Sequence, residues 1–156
     1  MGHIHTEAAG IISAPPEKVY AVLADYHEGH PSVLPKAYFK SLIVEEGGRG
    51  AGTVIHVQLS VMGVRRESHM RVSEPEPGRV LAETDLETGL VTRFIVTSAP
   101  NGHTHLRITT DWESAPGLAG WIDRLSTPLV LRHIYALQLR TLNDYLQQRE
   151  GSKGTS

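Results

Sequence analysis

Residues Gly117 to Arg149 constrain the fold more than any other stretch of the chain. Leu118, Ile122, Leu125 and Leu129 recur three or four residues apart, and Ile134, Leu137, Leu142, Tyr145 and Leu146 continue the pattern. That spacing gathers apolar side chains along one stripe of a helix of roughly eight turns. Ser114-Ala115-Pro116-Gly117 precedes it as a breaker. Pro128 has no N–H to give, so a kink or short break is expected there. A helix this long and one-sided needs an apolar partner. From Lys40 to Trp112 strand follows strand with short turns, so the helix is expected to lie across the dry face of their sheet.

The region before that sheet reads as small plugs. Ile4 to Ser13 is a weak first strand, diluted by Ala8, Ala9 and Gly10. Ser13-Ala14-Pro15-Pro16-Glu17 opens a helix, with a hydroxyl to cap it, proline tolerated in its first turn and an acid at its positive end. Val19, Val22 and Leu23 form its buried side, and Asp25 is read as the residue that terminates it or bonds the loop after it, not as a catalytic acid. A second short helix covers His27 to Val33 and stops at Pro35. Tyr38 to Glu45 is a strand. The Glu46–Gly52 segment after it, with glycine at 47, 48, 50 and 52, reads as a mobile hairpin connection. No Lys-Ser/Thr pair follows those glycines, which argues against a phosphate cradle.

Thr53 to Met62 alternates, with Ile55, Val57, Leu59 and Val61 on one face. Val64 to Ser73 alternates in turn, placing Arg66, Ser68, Met70 and Val72 inward with Val64. After Glu74-Pro75-Glu76-Pro77-Gly78, the next strand is read with Val80, Ala82, Thr84 and Leu86 inward and Arg79, Glu83 and Asp85 outward. Leu90 to Ser98 follows, and Asn101-Gly102 is the strongest hairpin signal in the chain. It leads into His103 to Glu113, where Leu106, Ile108 and Trp112 share a face with Thr104 and Thr110. Connections this short make the sheet antiparallel. Its dry face carries Ser68, Thr84, Thr92, Thr104 and Thr110. Buried hydroxyls need partners, which a bound molecule can supply; threonine's strand preference and bonds to neighbours are the plainer explanation.

Composition excludes several classes. A net charge of -2 argues against nucleic acid or an anionic membrane as partner. Without cysteine there is no disulfide, thiol nucleophile or thiolate metal site. There is no transmembrane run and no signal-like leader, which leads to the expectation of a cytoplasmic protein, monomeric or weakly dimeric. Residues 1–149 are expected to form one domain and residues 150–156 a disordered tail. His3 and His5, like His103 and His105, are two apart and share strand faces, but read as surface histidines, so no metal is assigned. No triad spacing, nucleophile elbow or dinucleotide fingerprint is present, and no cofactor is expected.

The order of elements, with Ile12 to Tyr26 as strand end, "APxxxV" and "D", resembles the START-like (SRPBCC) helix-grip superfamily, in particular its polyketide cyclase/dehydrase-like branch. His30-Pro31-Ser32-Val33-Leu34-Pro35 is similar to its second small helix, where many members have Trp-Pro, and Gly47 to Thr53 to its glycine-rich turn. The similarity covers residues 4 to 147. It implies an α+β helix-grip fold: a seven-stranded curved antiparallel sheet wrapped around the long C-terminal helix, with two short helices after the first strand. It also implies an apolar cavity between sheet and helix for a polyketide, lipid or isoprenoid. The walls would be Ile55, Val57 and Leu59, then Met70, Leu86 and Phe94, then Leu106, Ile108 and Trp112, with Trp121, Leu125 and Leu129 from the helix. Ser68, Thr84, Thr92 and Thr110 would add the hydroxyls. Within that frame His133 and Arg66 are the candidate catalytic groups, an imidazole to act as acid or base and a guanidinium facing inward. The chemistry such a cavity supports is cyclisation or dehydration by orientation and proton transfer. The other reading is a non-catalytic carrier or assembly-factor module acting through a protein partner, with the glycine loop and Glu28 to Pro35 at the mouth.

Overall fold

The computed structural model describes residues 2–61, 63–114 and 117–154, with the side chains of 117–126 and 150–154 left aside. Strand β1 (His3–Ile12) is followed by helices α1 (Pro16–Ala24) and α2 (Gly29–Val33). Six further strands follow: β2 (Phe39–Glu46), β3 (Val54–Val61), β4 (Val64–Glu76), β5 (Val80–Asp85), β6 (Val91–Ala99) and β7 (His103–Glu113). Helix α3 (Gly117–Gly154) closes the chain. The strands form one antiparallel sheet in the order β1-β7-β6-β5-β4-β3-β2. This is the helix-grip architecture expected from the sequence: seven strands, a long last helix and two short helices after the first strand.

Asn101 and Gly102 both have positive φ, at 65° and 72°, in the turn joining β6 to β7. Asparagine and glycine are the residues that tolerate this region, so the turn's chemistry dictates the hairpin. Helix α3 continues through Pro128 instead of breaking there. Proline removes one rung of the ladder, and the Pro128 carbonyl accepts the Thr6 hydroxyl at 3.2 Å, tying this turn to β1. The helix also extends past residue 150, where the tail was expected to begin.

The glycine segment differs from expectation. Gly48 and Gly50 are buried, and the loop is pinned to the α1–α2 corner. Tyr26 N–H donates to the Gly48 carbonyl at 2.8 Å, Gly50 N–H to the Ala24 carbonyl at 2.9 Å, and Asp25 and Arg49 form an isolated bridge. Gly48 has φ 146°, a conformation that residues with a Cβ rarely adopt, and a Cβ there would lie 1.9 Å from His27 Nε2 and oblige that side chain to move. The loop is a docking element of the fold.

The two histidine pairs lie at opposite ends of the β1–β7 ladder. His5 stands opposite Asp111 and His3 opposite Glu113, while His105 stands opposite Ile11. Asp111 Oδ1 lies 2.8 Å from both His3 Nε2 and His5 Nδ1. Hydrogen bonds to Asp111 and then Glu113 raise His3; those to Glu7 and then Asp111 raise His5. Burial pushes Asp111 up, but the bonds from His5 and His3 outweigh it and hold this carboxyl below its usual range. A raised histidine stabilises the fold below its unfolded value and loses that contribution as pH climbs through the folded one. A depressed carboxyl stabilises above its unfolded value and loses this as pH falls. Both contributions therefore coincide between about pH 4 and 6.5. The melting-temperature gap between the native protein and Asp111→Asn is expected to be widest in that window and to narrow on both sides. A gap that stays constant from pH 4 to 9 would contradict this account.

Candidate functional site

Cross-strand register builds the site. Val72 on β4 stands opposite Glu83 on β5, Glu83 opposite Thr92 on β6, Thr92 opposite Thr110 on β7, and Thr110 opposite Thr6 on β1. Cross-strand partners share a face, so one polar row runs over the inner surface of an otherwise apolar sheet. Helix α3 lies over it with Ile134, Tyr135, Gln138, Leu142 and Leu146 buried. Between helix and sheet is a cavity of about 710 Å³. Its middle is apolar, with Ile55, Val57, Met70, Phe94, Val130 and Ile134 among its walls. Its mouth is framed by Val61, Val64 and Arg66 of the β3–β4 hairpin and by Glu87 and Thr88 of the β5–β6 turn. A smaller recess of about 410 Å³ beside that hairpin is lined largely by charged and polar residues, among them Lys40, Gln58, Arg65 and Glu67.

The closed end holds the chemistry. His30 is 2% exposed and is fixed from three sides. Its ring stacks on Tyr26 at 4.5 Å, meets the edge of Phe94 at 5.4 Å, and places Nδ1 2.8 Å from the Leu23 carbonyl. A carbonyl can only accept, so Nδ1 carries the proton and Nε2 is turned towards Glu83, 3.5 Å from Oε2. Glu83, 8% exposed, accepts the Tyr26 hydroxyl at 2.7 Å. Burial first, then the Glu83 charge, pushes Tyr26 well above the ordinary phenol range, so it stays a donor. Along the same row Thr92 and Thr110 share a hydrogen bond of 2.8 Å, and Thr110 bonds the Tyr135 hydroxyl. Burial raises Tyr135 as well, against the opposing pull of its threonine bonds.

Helix α2 is positioned by Asp25. Its carboxylate accepts the backbone N–H groups of His27 and Glu28 through Oδ1 and of Gly29 through Oδ2, and its carbonyl accepts His30 N–H at 2.7 Å. Burial acts to raise Asp25, yet these N–H bonds leave it below its usual value.

The structure brings together some of the residues singled out from the sequence and separates others. Ile55, Val57, Leu59, Ser68, Met70, Thr92, Phe94 and Thr110 line the cavity, and Arg66 lines its mouth while itself exposed. Leu106 and Ile108 are fully buried in the solid core and lie outside the lining. Trp112 is half-buried and also outside it. Leu86 and Leu129 are exposed. Thr84 faces away from the cavity, because β5 presents Glu83 and Asp85 to it instead. The side chains of Trp121 and Leu125 lie outside the described residues. His133 is exposed and packs edge-on against Tyr38 at 6.1 Å, so it is not a cavity acid or base. The residues that sequence reasoning missed are His30, Glu83, Asp85 and Gln138. A buried histidine in the His-Pro helix start and the register of β5 against β4 were the available signals.

A family model described as polyketide cyclase / dehydrase and lipid transport matches residues 3–147. No curated protein sequence matches the chain. Among solved structures, the KanY protein is 28% identical with a TM-score of 0.81, over 94% of this chain and 99% of that one. The ZhuI aromatase/cyclase from Streptomyces sp. R1128 is 22% identical with a TM-score of 0.79, over 95% and 96%. A START superfamily protein from Mycobacterium smegmatis is 16% identical with a TM-score of 0.72, over 94% and 99%.

Proposed function

The chain belongs to the polyketide cyclase / dehydrase and lipid transport family, and on that footing we propose that it binds a hydrophobic small molecule of polyketide type between sheet and helix. The observation that carries the reading is the cavity itself, about 710 Å³ with apolar walls and a buried polar end. That size lies in the range of small-molecule sites, which pair a greasy lining with a few convergent polar groups. The chemistry it supports is cyclisation or dehydration of the bound chain, driven by orientation and proton transfer. His30 and Glu83 are the groups placed to hold and move that proton, with Nδ1–H committed to the Leu23 carbonyl and Nε2 turned towards the carboxylate. Arg66 stands at the mouth, where it can meet an oxygenated end of the same molecule. The exposed His133 has no part in this scheme.

Two measurements test it. Native mass spectrometry of the protein taken gently from expressing cells is expected to show a bound mass of small-molecule size that is lost on denaturation. Val57→Trp places an indole in the middle of the cavity and is expected to weaken naphthalene binding at least about tenfold. Val57 is half-buried beside open space, so the fold should tolerate the larger side chain. Naphthalene binding that is undiminished in a folded Val57→Trp protein would place the ligand elsewhere.

A further inference from the structure

The charges around the cavity are lopsided. Glu83 and Asp85 line its buried part, while Glu67 and Glu87 stand exposed at its rim with Arg66. At the closed end the carboxylate of Glu83 is buried, and Tyr26 fills only one of its roughly four acceptor directions. Asp85, also buried, spends Oδ1 on the N–H groups of Glu87 and Thr88, at 2.8 and 3.0 Å. An anionic head pushed to this end would have to be desolvated beside two buried carboxyl groups, and among the described residues no lysine or arginine lines the cavity there.

A second, independent feature lies across the cavity on α3. Gln138 is 2% exposed and lines the cavity, and its Nε2 has no hydrogen-bond partner among the described residues. A buried donor left unpaired is costly to the fold, so such a group marks a place where a bound acceptor is worth more than elsewhere. Gln138 sits one turn beyond Tyr135, whose hydroxyl joins the Thr110–Thr92 chain, and Thr92 is the cross-strand neighbour of Glu83. The acceptor-only carboxylate and the unpaired amide donor thus belong to the same end of the cavity.

We propose that this end is a recognition subsite for an uncharged head group, a phenol or enol hydroxyl that donates to Glu83 and whose oxygen, or an adjacent carbonyl, accepts from Gln138. This rests on the reading of the cavity as a hydrophobic-ligand site and narrows it: hydroxylated ring systems fit, whereas carboxylate-headed lipids do not. A cationic head fits less well in turn, because an ammonium can donate to Glu83 but has no lone pair to accept from Gln138 Nε2.

The experiment compares four probes of one shape, naphthalene, 2-naphthol, 2-naphthoate and 2-naphthylmethylammonium, by titration calorimetry at pH 7.5. The native protein is expected to bind 2-naphthol about tenfold or more tighter than either naphthalene or 2-naphthoate. In Glu83→Gln and in Gln138→Met the naphthol-to-naphthalene ratio is expected to fall severalfold, towards unity for a protein that has lost both contacts. Because the readout is a ratio within one folded protein, a loss of stability does not move it. Should Glu83→Gln not fold, Gln138→Met decides. The subsite assignment is overturned if 2-naphthoate or the ammonium probe matches 2-naphthol, or if the ratio survives both substitutions. Naphthalene binding as tightly as 2-naphthol would sink the subsite and leave the cavity reading intact. Failure of all four probes to bind would remove both.

Discussion

Leu142→Ala is expected to destabilise the protein by about 2–5 kcal/mol, the range for emptying a well-packed leucine site. Leu142 is 0% exposed and belongs to the core in which α3 meets the sheet and the small helices. It is one of the α3 side chains, with Ile134, Tyr135, Leu139 and Leu146, that recur on the buried stripe. For a domain of this size each kcal/mol moves the melting temperature by about 2–4 °C, so a fall on the order of 10 °C is anticipated. Leu129→Ala is the matched control: same helix, same chemical change, but 63% exposed, with an expected effect within about 0.5 kcal/mol. Chemical denaturation of both variants checks the pair. If Leu142→Ala cost no more than Leu129→Ala, the second half of α3 would not be clamped on the sheet, and the closed end of the cavity would lose its roof.

How much of this could be read from the chain varies by element. Helix and sheet were legible because their apolar periods are long and unmixed, as in β3, where Ile55 and Val57 reach the cavity. The phase of β5 was not. Acidic side chains are ordinarily sent outward, yet here Glu83 and Asp85 face in, while Val80, Leu81 and Ala82 are all buried and blur the alternation. A bulge between Ser73 and Glu76 shifts the β4–β5 register by a residue, and a one-residue shift reverses every side chain on a strand. His133 was misplaced for a related reason. Because α3 is continuous through Pro128, its phase is set by Ile134, Tyr135 and Gln138, and a neighbour one residue away is rotated by about 100°. His30 was hidden differently: its helix has five residues, too few for any period to show. Its placement comes from tertiary contacts with Tyr26, Leu23, Phe94 and Glu83.

Those contacts give the second large effect. Gly29→Ala is expected to damage stability and the site together. A Cβ at Gly29 would stand 2.4 Å from the carbonyl oxygen of Val22, and the obstacle is backbone, so no side-chain rotation can relieve it. Either α1 or α2 must move. Overpacking of this kind costs about 1–3 kcal/mol, and α2 is the lighter element to displace. His30 follows Gly29 directly, and its geometry is narrow: a ring wedged between Tyr26 and Phe94, one nitrogen on Leu23 and the other facing Glu83. Displacing α2 by the ångström or so that the methyl group demands breaks that alignment. In Gly29→Ala the preference for 2-naphthol over naphthalene should therefore shrink, even under conditions where the variant is fully folded. Gly10→Ala supplies the comparison, since a Cβ there meets Leu139 at ordinary distances, 3.5 Å to Cδ1 and 4.0 Å to Cβ, and it should change neither property. A folded Gly29→Ala protein that kept the full preference would show that the position of α2, and with it His30, has no bearing on how the cavity selects its ligand.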